Sequence, residues 1–142
     1  MSATGKDRLL QFYEDVANKG DLDLVEDFCT EDFVDHEEFP GIPRDREGVR
    51  QFFTMLRGAF PDLHMTPESV VEEGDRVMAR FRMTGTHEGE FLGVPASGRH
   101  VEIEGYDEVR LVEGRACEHW GAMDAMALMQ QIGAQPSESP AG

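Results

Sequence analysis

Residues 101–111 have the sequence VEIEGYDEVRL, in which apolar and polar side chains alternate. Val101, Ile103 and Val109 fall on one side of an extended chain, and Asp107 falls on the same side. A period of two predicts a strand with one buried face. The same period recurs in segments 63–73, 76–86 and 115–121, which predicts an antiparallel sheet in this half of the chain.

The amino-terminal half instead has the 3.6-residue period of amphipathic helices. We expect a helix over residues 4–19 that begins with a capping box of Thr4 and Asp7. Asp21 is expected to cap a short second helix, and a third helix is expected over residues 45–59.

Two short segments complete the predicted order of elements. Residues 31–36 form an extended piece between the second and third helices, and residues 124–132 form a short Met-rich helix at the end. Helices followed by antiparallel strands predict an α+β fold. We expect a cone-shaped, curved antiparallel sheet wrapped around the amino-terminal helices, with an internal pocket at its open end.

Length and charge restrict the classes of partner. A chain of 142 residues predicts one domain, over residues 1–134, and the Pro/Ser/Gly-rich segment 135–142 is predicted to be a disordered tail. No apolar run reaches the ~20 residues of a membrane helix, and no signal peptide is recognisable, so we expect a cytoplasmic protein. The net charge of −16 argues against binding nucleic acid or an anionic membrane.

Asp107 is the most informative polar residue, because a carboxylate on an apolar face needs a partner or a raised pKa. A three-residue hairpin loop over 112–114 would place Asp107 opposite His119, whereas a two-residue loop would place it opposite Trp120. We favour the first register, because it puts Gly114 at the left-handed position.

In that register Asp107 and His119 form a carboxylate–imidazole pair suited to acid–base catalysis. The alternative interpretation is a buried structural hydrogen bond. His36 could complete a metal site with this pair, but the sequence has no metal-binding spacing, so we expect neither metal nor cofactor.

The other candidate residues have two interpretations each. Asp124 is either a third catalytic residue or the N-cap of the last helix, and His36 either lines the cavity mouth or lies in an exposed loop. Trp120 either contacts the ligand or packs on the outer face of the sheet at a subunit contact. The residues that we expect to bind the ligand are His36, Phe53, Phe81, Tyr106 and Trp120.

An ordered set of short motifs resembles the SnoaL-like polyketide cyclases of the nuclear transport factor 2-like superfamily. The resemblance extends over about residues 5–133. Its motifs are FVDH at 33–36, GVRQFF at 48–53, AFPDL at 59–63, GTHEGEFLGVP at 85–95, EHWG at 118–121, Asp124, and QQIG at 130–133.

The resemblance implies a cone-shaped α+β fold, a homodimer or tetramer, and a hydrophobic small-molecule ligand. It also implies aldol ring closure of polyketide esters by acid–base chemistry, without metal or cofactor. The acid/base aspartate of the polyketide cyclases lies at the position that matches Gly121, and their opposing histidine matches Asp107. This chain therefore keeps a carboxylate and an imidazole but arranges them differently.

Two other interpretations stay open. The superfamily contains epoxide hydrolases and ketosteroid isomerases, which also need a carboxylate in the pocket. The fold also occurs in non-catalytic domains that bind small molecules. A pocket carboxylate with a perturbed pKa favours an enzyme.

Overall fold

A mixed α+β structure is formed by residues 4–133, which are the residues that the computed structural model describes. The helices are α1 (Gly5–Phe12), α2 (Val25–Phe28), α3 (Arg46–Ala59) and α4 (Ala125–Gln131). The strands are β1 (Cys29–Asp35), β2 (His64–Glu73), β3 (Arg76–Thr86), β4 (His100–Val112) and β5 (Arg115–Met123). The strands form one curved, unclosed sheet in the spatial order β1-β5-β4-β3-β2.

The predicted fold class is confirmed, with one difference in the order of the elements. The extended piece predicted at 31–36 is a full strand of the sheet, and it pairs in parallel with β5, so that Asp35 lies opposite His119. Helices and strands are therefore not fully segregated along the chain. This parallel pairing brings the end of β1 to the middle of β5.

The first helix is capped as predicted but changes its winding. Thr4 and Asp7 form the capping box, and α1 then continues into a π-helical turn, Tyr13–Asn18. Single π-helical turns are frequent at functional sites. The predicted cap at Asp21 is wrong, because its side chain makes no capping hydrogen bond to the 3₁₀ turn Leu22–Leu24.

The core lies between the inner face of the sheet and the helices. On β3 the alternate residues are buried, as the period of two predicts, and Phe81 packs 6.1 Å from the ring of Tyr13. Asp45 caps α3 by accepting a hydrogen bond from the backbone N–H of Gly48 at 3.0 Å. Helix α3 buries Phe53 and Leu56 in this core.

The predicted register of the β4–β5 hairpin is wrong. Glu113 and Gly114 both have positive φ angles, 52° and 80°, as in a two-residue type I′ turn. The register then shifts between Arg110 and Leu111, because Cys117 is an extra residue on β5. The turn and the bulge together place Gly121 opposite Asp107, so neither predicted partner, His119 nor Trp120, lies there.

No helix within residues 4–133 is long and apolar enough to cross a membrane. The tail predicted at 135–142 lies outside the described residues, and the single domain over 1–134 stays a prediction.

Candidate active site

An apolar cavity opens between the inner face of the sheet and helices α1 and α3. Its volume is about 90 Å³, measured as the space open to the centre of a water-sized sphere. On this measure a water needs roughly 10–15 Å³, so the cavity has room for more than a single water. The aromatic residues that line it are Phe12, Tyr13, Phe28, Phe33, Phe39, Phe52, Phe53 and Phe81.

Five polar residues meet in this cavity, and we call them the polar cluster: Tyr13, Asp35, Glu37, Asp107 and His119. They come from the π-helical turn, from β1 and the residues after it, and from β4 and β5. No lysine or arginine lines the cavity among the residues that the structure describes. The cluster therefore has more acidic groups than basic ones.

His119 lies between two carboxylates. Its Nδ1 is 2.8 Å from Oδ1 of Asp35, and its Nε2 is 2.8 Å from Oδ1 of Asp107. The side chains of His119 and Asp107 are 17% and 18% exposed, so these bonds are largely shielded from water. The predicted contact between Asp107 and His119 is thus present, although the register predicted for it is wrong.

Tyr13 binds the second carboxylate oxygen of Asp107. The Tyr13 hydroxyl donates a hydrogen bond of 2.6 Å to Oδ2 of Asp107. Burial raises the pKa of Tyr13, and the adjacent charge of Asp107 raises it further, so the hydroxyl keeps its proton. Both oxygens of Asp107 therefore accept hydrogen bonds.

These contacts fix His119 as an imidazolium. An ionised carboxylate only accepts hydrogen bonds, so each ring nitrogen of His119 has to donate. Burial lowers the pKa of His119, but the hydrogen bonds that its ring donates to Asp107 and Asp35, together with the charges of these carboxylates, outweigh this effect and raise the pKa to about 10. At neutral pH the ring has a stable positive charge and no free base nitrogen.

Glu37 is the remaining acid of the polar cluster. Its Oε1 lies 4.0 Å from Nε2 of His119, and its side chain is 26% exposed. Burial raises the pKa of Glu37 to about 7; the charge of His119 opposes this rise, and the charges of Asp107 and Asp35 add to it. This carboxyl group changes charge near neutral pH.

Gly121 leaves the space that the Glu37 carboxylate occupies. A Cβ atom at position 121 would collide with Oε1 of Glu37, and it would lie 2.9 Å from both Cε1 and Nε2 of His119. Because Gly121 has no side chain, a carboxylate from the chain segment after β1 reaches the imidazole.

The end of β1 sets the direction of the acidic side chains. The backbone N–H of His36 donates to the carbonyl oxygen of His119 at 2.8 Å, which holds this segment along β5. The backbone N–H of Glu37 donates to Oδ1 of Asp35 at 3.0 Å. Asp35 and Glu37 line the cavity, whereas the ring of His36 stacks on Trp120 outside it.

Three atoms of the polar cluster are close enough together to surround a cation. These ligand atoms of Glu37, Asp107 and His119 all lie within 4.8 Å of one another. A metal needs a ring nitrogen that has lost its proton, however, and both nitrogens of His119 donate to carboxylates. The hydrogen bonds of His119 therefore correspond to a protonated ring rather than to a metal ligand.

Phe53 and Phe81, two of the residues predicted to bind the ligand, line the cavity. The others lie outside its wall. His36 contacts Oε2 of Glu118 at 2.9 Å, and its ring stacks on Trp120 with centroids 4.8 Å apart. Tyr106 is 49% exposed on the outer face of the sheet. Direct ligand contact is therefore not supported for these three residues, because their side chains point away from the cavity.

Asp124 is placed at the start of α4. Its Oδ1 accepts a hydrogen bond from the backbone N–H of Ala127 at 3.0 Å, and it does not line the cavity. This geometry corresponds to the N-cap interpretation rather than to a third catalytic residue.

The sequence contained signals for the three residues that the prediction missed. Two of these residues, Asp35 and Glu37, follow the buried Phe33 at intervals of two, and this period predicts that both acids lie on the inner face. Tyr13 lies on the apolar stripe of the first helix, and a buried tyrosine hydroxyl needs a hydrogen-bond partner.

The fold is that of a small α+β protein with an apolar internal cavity, and comparison with known proteins identifies the family. The chain belongs to the SnoaL-like polyketide cyclase family, whose model matches residues 7–132. This result confirms the resemblance found in the sequence motifs. The family is one of enzymes, in agreement with the predicted class.

Relatives of known name and structure extend this result. The aklanonic acid methyl ester cyclase DauD of Streptomyces sp. (strain C5) is 28% identical over 128 residues, which cover 88% of this chain and 79% of DauD. The structure of TsrD from Streptomyces laurentii matches with a TM-score of 0.84 at 27% identity, covering 95% of this chain and 99% of TsrD. Wild-type IdmH from Streptomyces antibioticus matches with a TM-score of 0.81 at 34% identity, covering 93% and 100%.

Proposed function

We propose that the protein is an acid–base enzyme that closes a ring in a hydrophobic, polyketide-type ester through an enolate, without a cofactor. The observation that carries this proposal is the position of His119, which is held between Asp35 and Asp107 at hydrogen-bond distances of 2.8 Å inside an apolar cavity. The two carboxylates hold a positive charge on the ring inside the cavity, and groups with a strongly perturbed pKa cluster at functional sites.

The chemistry of an aldol closure fits these groups. A carboxylate removes a proton from the carbon next to a carbonyl, and the electron pair of the broken C–H bond moves onto the carbonyl oxygen. The imidazolium of His119 stabilises the negative charge that develops there, because a fixed charge in a shielded cavity acts more strongly than in water. The enolate carbon then attacks a second carbonyl of the same molecule.

The ring-closing steps need no further reactant, because the proton removed in the first step is returned in the last. A new C–C bond forms, the second carbonyl becomes an alkoxide, and this alkoxide takes the proton that the carboxylate removed. No oxidant or reductant is needed, and the enzyme returns to its starting protonation state. The aromatic walls of the cavity bind the apolar part of such a molecule.

The names of the curated relatives support the same class of substrate. DauD and two further relatives are named as cyclases of aklanonic or nogalonic acid methyl ester. We propose a substrate of the same chemical kind for this chain. We also expect the homodimer or tetramer that the family resemblance implies.

A ketosteroid-isomerase-like reaction shares the first step, since it too removes a proton next to a carbonyl. It differs in the fate of the proton, which returns to another carbon of the same molecule. A non-catalytic binding domain has no need of Glu37, an acid whose pKa lies near 7 in the cavity.

The test is a ring-closure assay with aklanonic acid and nogalonic acid methyl esters. We expect the wild-type protein to form a cyclised product of unchanged mass and Asp107→Asn to lose at least about 100-fold in rate, by analogy with loss of a single electrostatic group. Glu108→Gln is the matched control, because Glu108 pairs with Arg76 on the other face of β4. Equal rates for wild type and Asp107→Asn would contradict the assignment of the site.

A further inference from the structure

The hydrogen-bonding capacity of the polar cluster is distributed unevenly. Asp107 has one oxygen bonded to Tyr13 and the other to His119. Asp35 accepts from the ring of His119 and from the backbone N–H of Glu37 at the same oxygen, Oδ1. His119 has both ring nitrogens engaged. The residues of this chain of contacts hold one another in place.

The carboxyl group of Glu37 is different. Among the residues that the structure describes, neither of its oxygens makes a hydrogen bond, and the basic group beside it is Nε2 of His119 at 4.0 Å. Its side chain lines the cavity and is partly exposed there. In the described part of the chain Glu37 is the acid of the cluster with both oxygens free to receive a proton, whereas Asp35 has only Oδ2 free and Asp107 has neither oxygen free.

We propose that Glu37 is the catalytic base of this enzyme, and that Tyr13, Asp107 and Asp35 are positioning residues that keep His119 charged beside it. This inference rests on the proposed function and assigns its proton transfer to one residue. The predicted acid–base roles of Asp107 and His119 are thereby replaced: the pair supplies fixed charge, and Glu37 moves the proton.

The step assigned to Glu37 is a proton transfer from the substrate and back to it. One oxygen of the ionised carboxylate forms an O–H bond as the substrate C–H bond breaks, and the electron pair goes to the enolate oxygen. Glu37 then returns the proton to the alkoxide formed by ring closure. The ring of His119 lies 4.0 Å from the Glu37 carboxylate, so its positive charge acts on an enolate formed at Glu37 through the electric field, while both ring N–H groups stay bonded to Asp35 and Asp107.

The groups that face Glu37 predict the pH range in which it works. Asp35 on β1 and Asp107 on β4 disfavour its ionisation, His119 on β5 favours it, and Tyr13 acts only through Asp107. Burial is the largest effect and raises the pKa of Glu37 to about 7. A base with such a pKa is well suited to proton transfer at neutral pH.

The experiment compares Glu37→Gln with Glu38→Gln in the ring-closure assay between pH 5 and 9. Glu38 is the matched control, since it is the neighbouring residue and pairs with Arg44 on the exposed surface. We expect wild type and Glu38→Gln to gain rate as pH rises through about 7. Glu37→Gln is expected to lose at least about 100-fold and to lose this pH dependence, as for removal of a general base. Glu37→Asp, which keeps the acid, should recover part of the rate.

The outcomes separate the two proposals. A wild-type protein that closes no ring would overturn the proposed function and the role of Glu37 with it. An active wild type whose Glu37→Gln variant is equally active, or keeps the same pH profile, would overturn the role of Glu37 alone. Circular dichroism of each variant establishes that the fold is retained.

Discussion

The carboxylate of Glu37 lies where the side chain of residue 121 would stand if that residue were not glycine. Gly121 lies in β5 and Glu37 lies in the segment after β1, so their proximity depends on the parallel pairing of β1 with β5. At the position that matches the acid/base aspartate of related cyclases, this protein has room for an acid that comes from elsewhere. The site therefore requires glycine at position 121, because any side chain there would displace the Glu37 carboxylate.

Gly121→Ala should lower the ring-closure rate by at least about tenfold, because displacing a catalytic group by about 1 Å can cost two orders of magnitude. The new Cβ collides with Oε1 of Glu37 and presses on the ring of His119. Gly58→Ala is the matched control, since a Cβ there meets no atom within 4 Å. In a Glu37→Gln background the further loss from Gly121→Ala should be smaller, because the two substitutions share one target. Independent, additive losses would argue against the coupling.

Tyr13→Phe should reduce both activity and stability. The change removes the hydroxyl that donates to Oδ2 of Asp107 at 2.6 Å and leaves a buried carboxylate oxygen without that partner. The free energy of unfolding should fall by about 1–3 kcal/mol, the usual cost of such a loss. Tyr106→Phe, the same change at an exposed position, should alter neither quantity. Urea denaturation and the ring-closure assay measure the two effects, and an unchanged Tyr13→Phe would show that the hydroxyl does not hold Asp107.

Glu37→Gln should make the protein more stable at high pH and leave it nearly unchanged at low pH. Because the pKa of Glu37 is raised from 4.5 to about 7 on folding, its contribution to stability is fully present below pH 4.5 and is lost as pH rises towards 7. Glutamine stays neutral and avoids this loss, which is about 3 kcal/mol for a pKa rise from 4.5 to about 7 at about 1.4 kcal/mol per unit. Thermal unfolding at pH 5 and pH 8.5 tests the sign. A destabilised variant at pH 8.5 would mean that the Glu37 carboxylate is favourably bound when ionised.

The charge of His119 should be visible directly. Its pKa is raised from 6.5 to about 10, so the stabilisation from its two carboxylates is present below pH 6.5 and is lost as pH rises through 10. Nitrogen NMR of the labelled ring should show an imidazolium at pH 8, with Nδ1 and Nε2 both protonated. Asp35→Asn should bring the titration of the ring to lower pH. A neutral ring at pH 7 in the wild-type protein would refute the fixed-charge assignment.

Metal removal should not affect the rate. Both ring nitrogens of His119 donate to carboxylates, so the cluster offers a cation no imidazole lone pair. Dialysis against EDTA is expected to leave the ring-closure rate unchanged, and added Zn²⁺ should not raise it. A loss of activity that returns with a specific metal would instead assign Glu37, Asp107 and His119 as its ligands.

Most of the fold could be predicted from the sequence, because the periods of 3.6 and 2 are strong signals in this chain. The face of β4 that carries Asp107 was predictable from alternation alone, whereas its contact with His119 was predicted from a hairpin register that is wrong. The register was not predictable, since it depends on the bulge at Cys117, which leaves no clear mark on the sequence. The diagonal reach of the two side chains restores the contact that the shifted register would otherwise break.

Glu37 was harder to predict for a different reason. Its approach to His119 requires β1 to join the sheet in parallel, a pairing between residues about 84 positions apart, as in the bond from Asp35 to His119. Local patterns contain no information about such a pairing. The spacing of two between Phe33, Asp35 and Glu37 indicates that these residues share the inner face. Only the three-dimensional arrangement shows that the group beside Glu37 is His119.

The most direct test of the central claim is solvent deuterium exchange by the wild-type protein. A methyl ester analogue whose second carbonyl is replaced by a methylene group cannot close its ring, so only the first step is open to it. The account predicts that the protein catalyses incorporation of deuterium from D₂O next to the remaining carbonyl, at a rate that rises with pH through about 7, and that Asp107→Asn nearly abolishes it. Binding of the analogue without any catalysed exchange between pH 5 and 9 would contradict the account and leave the cavity as a binding site alone.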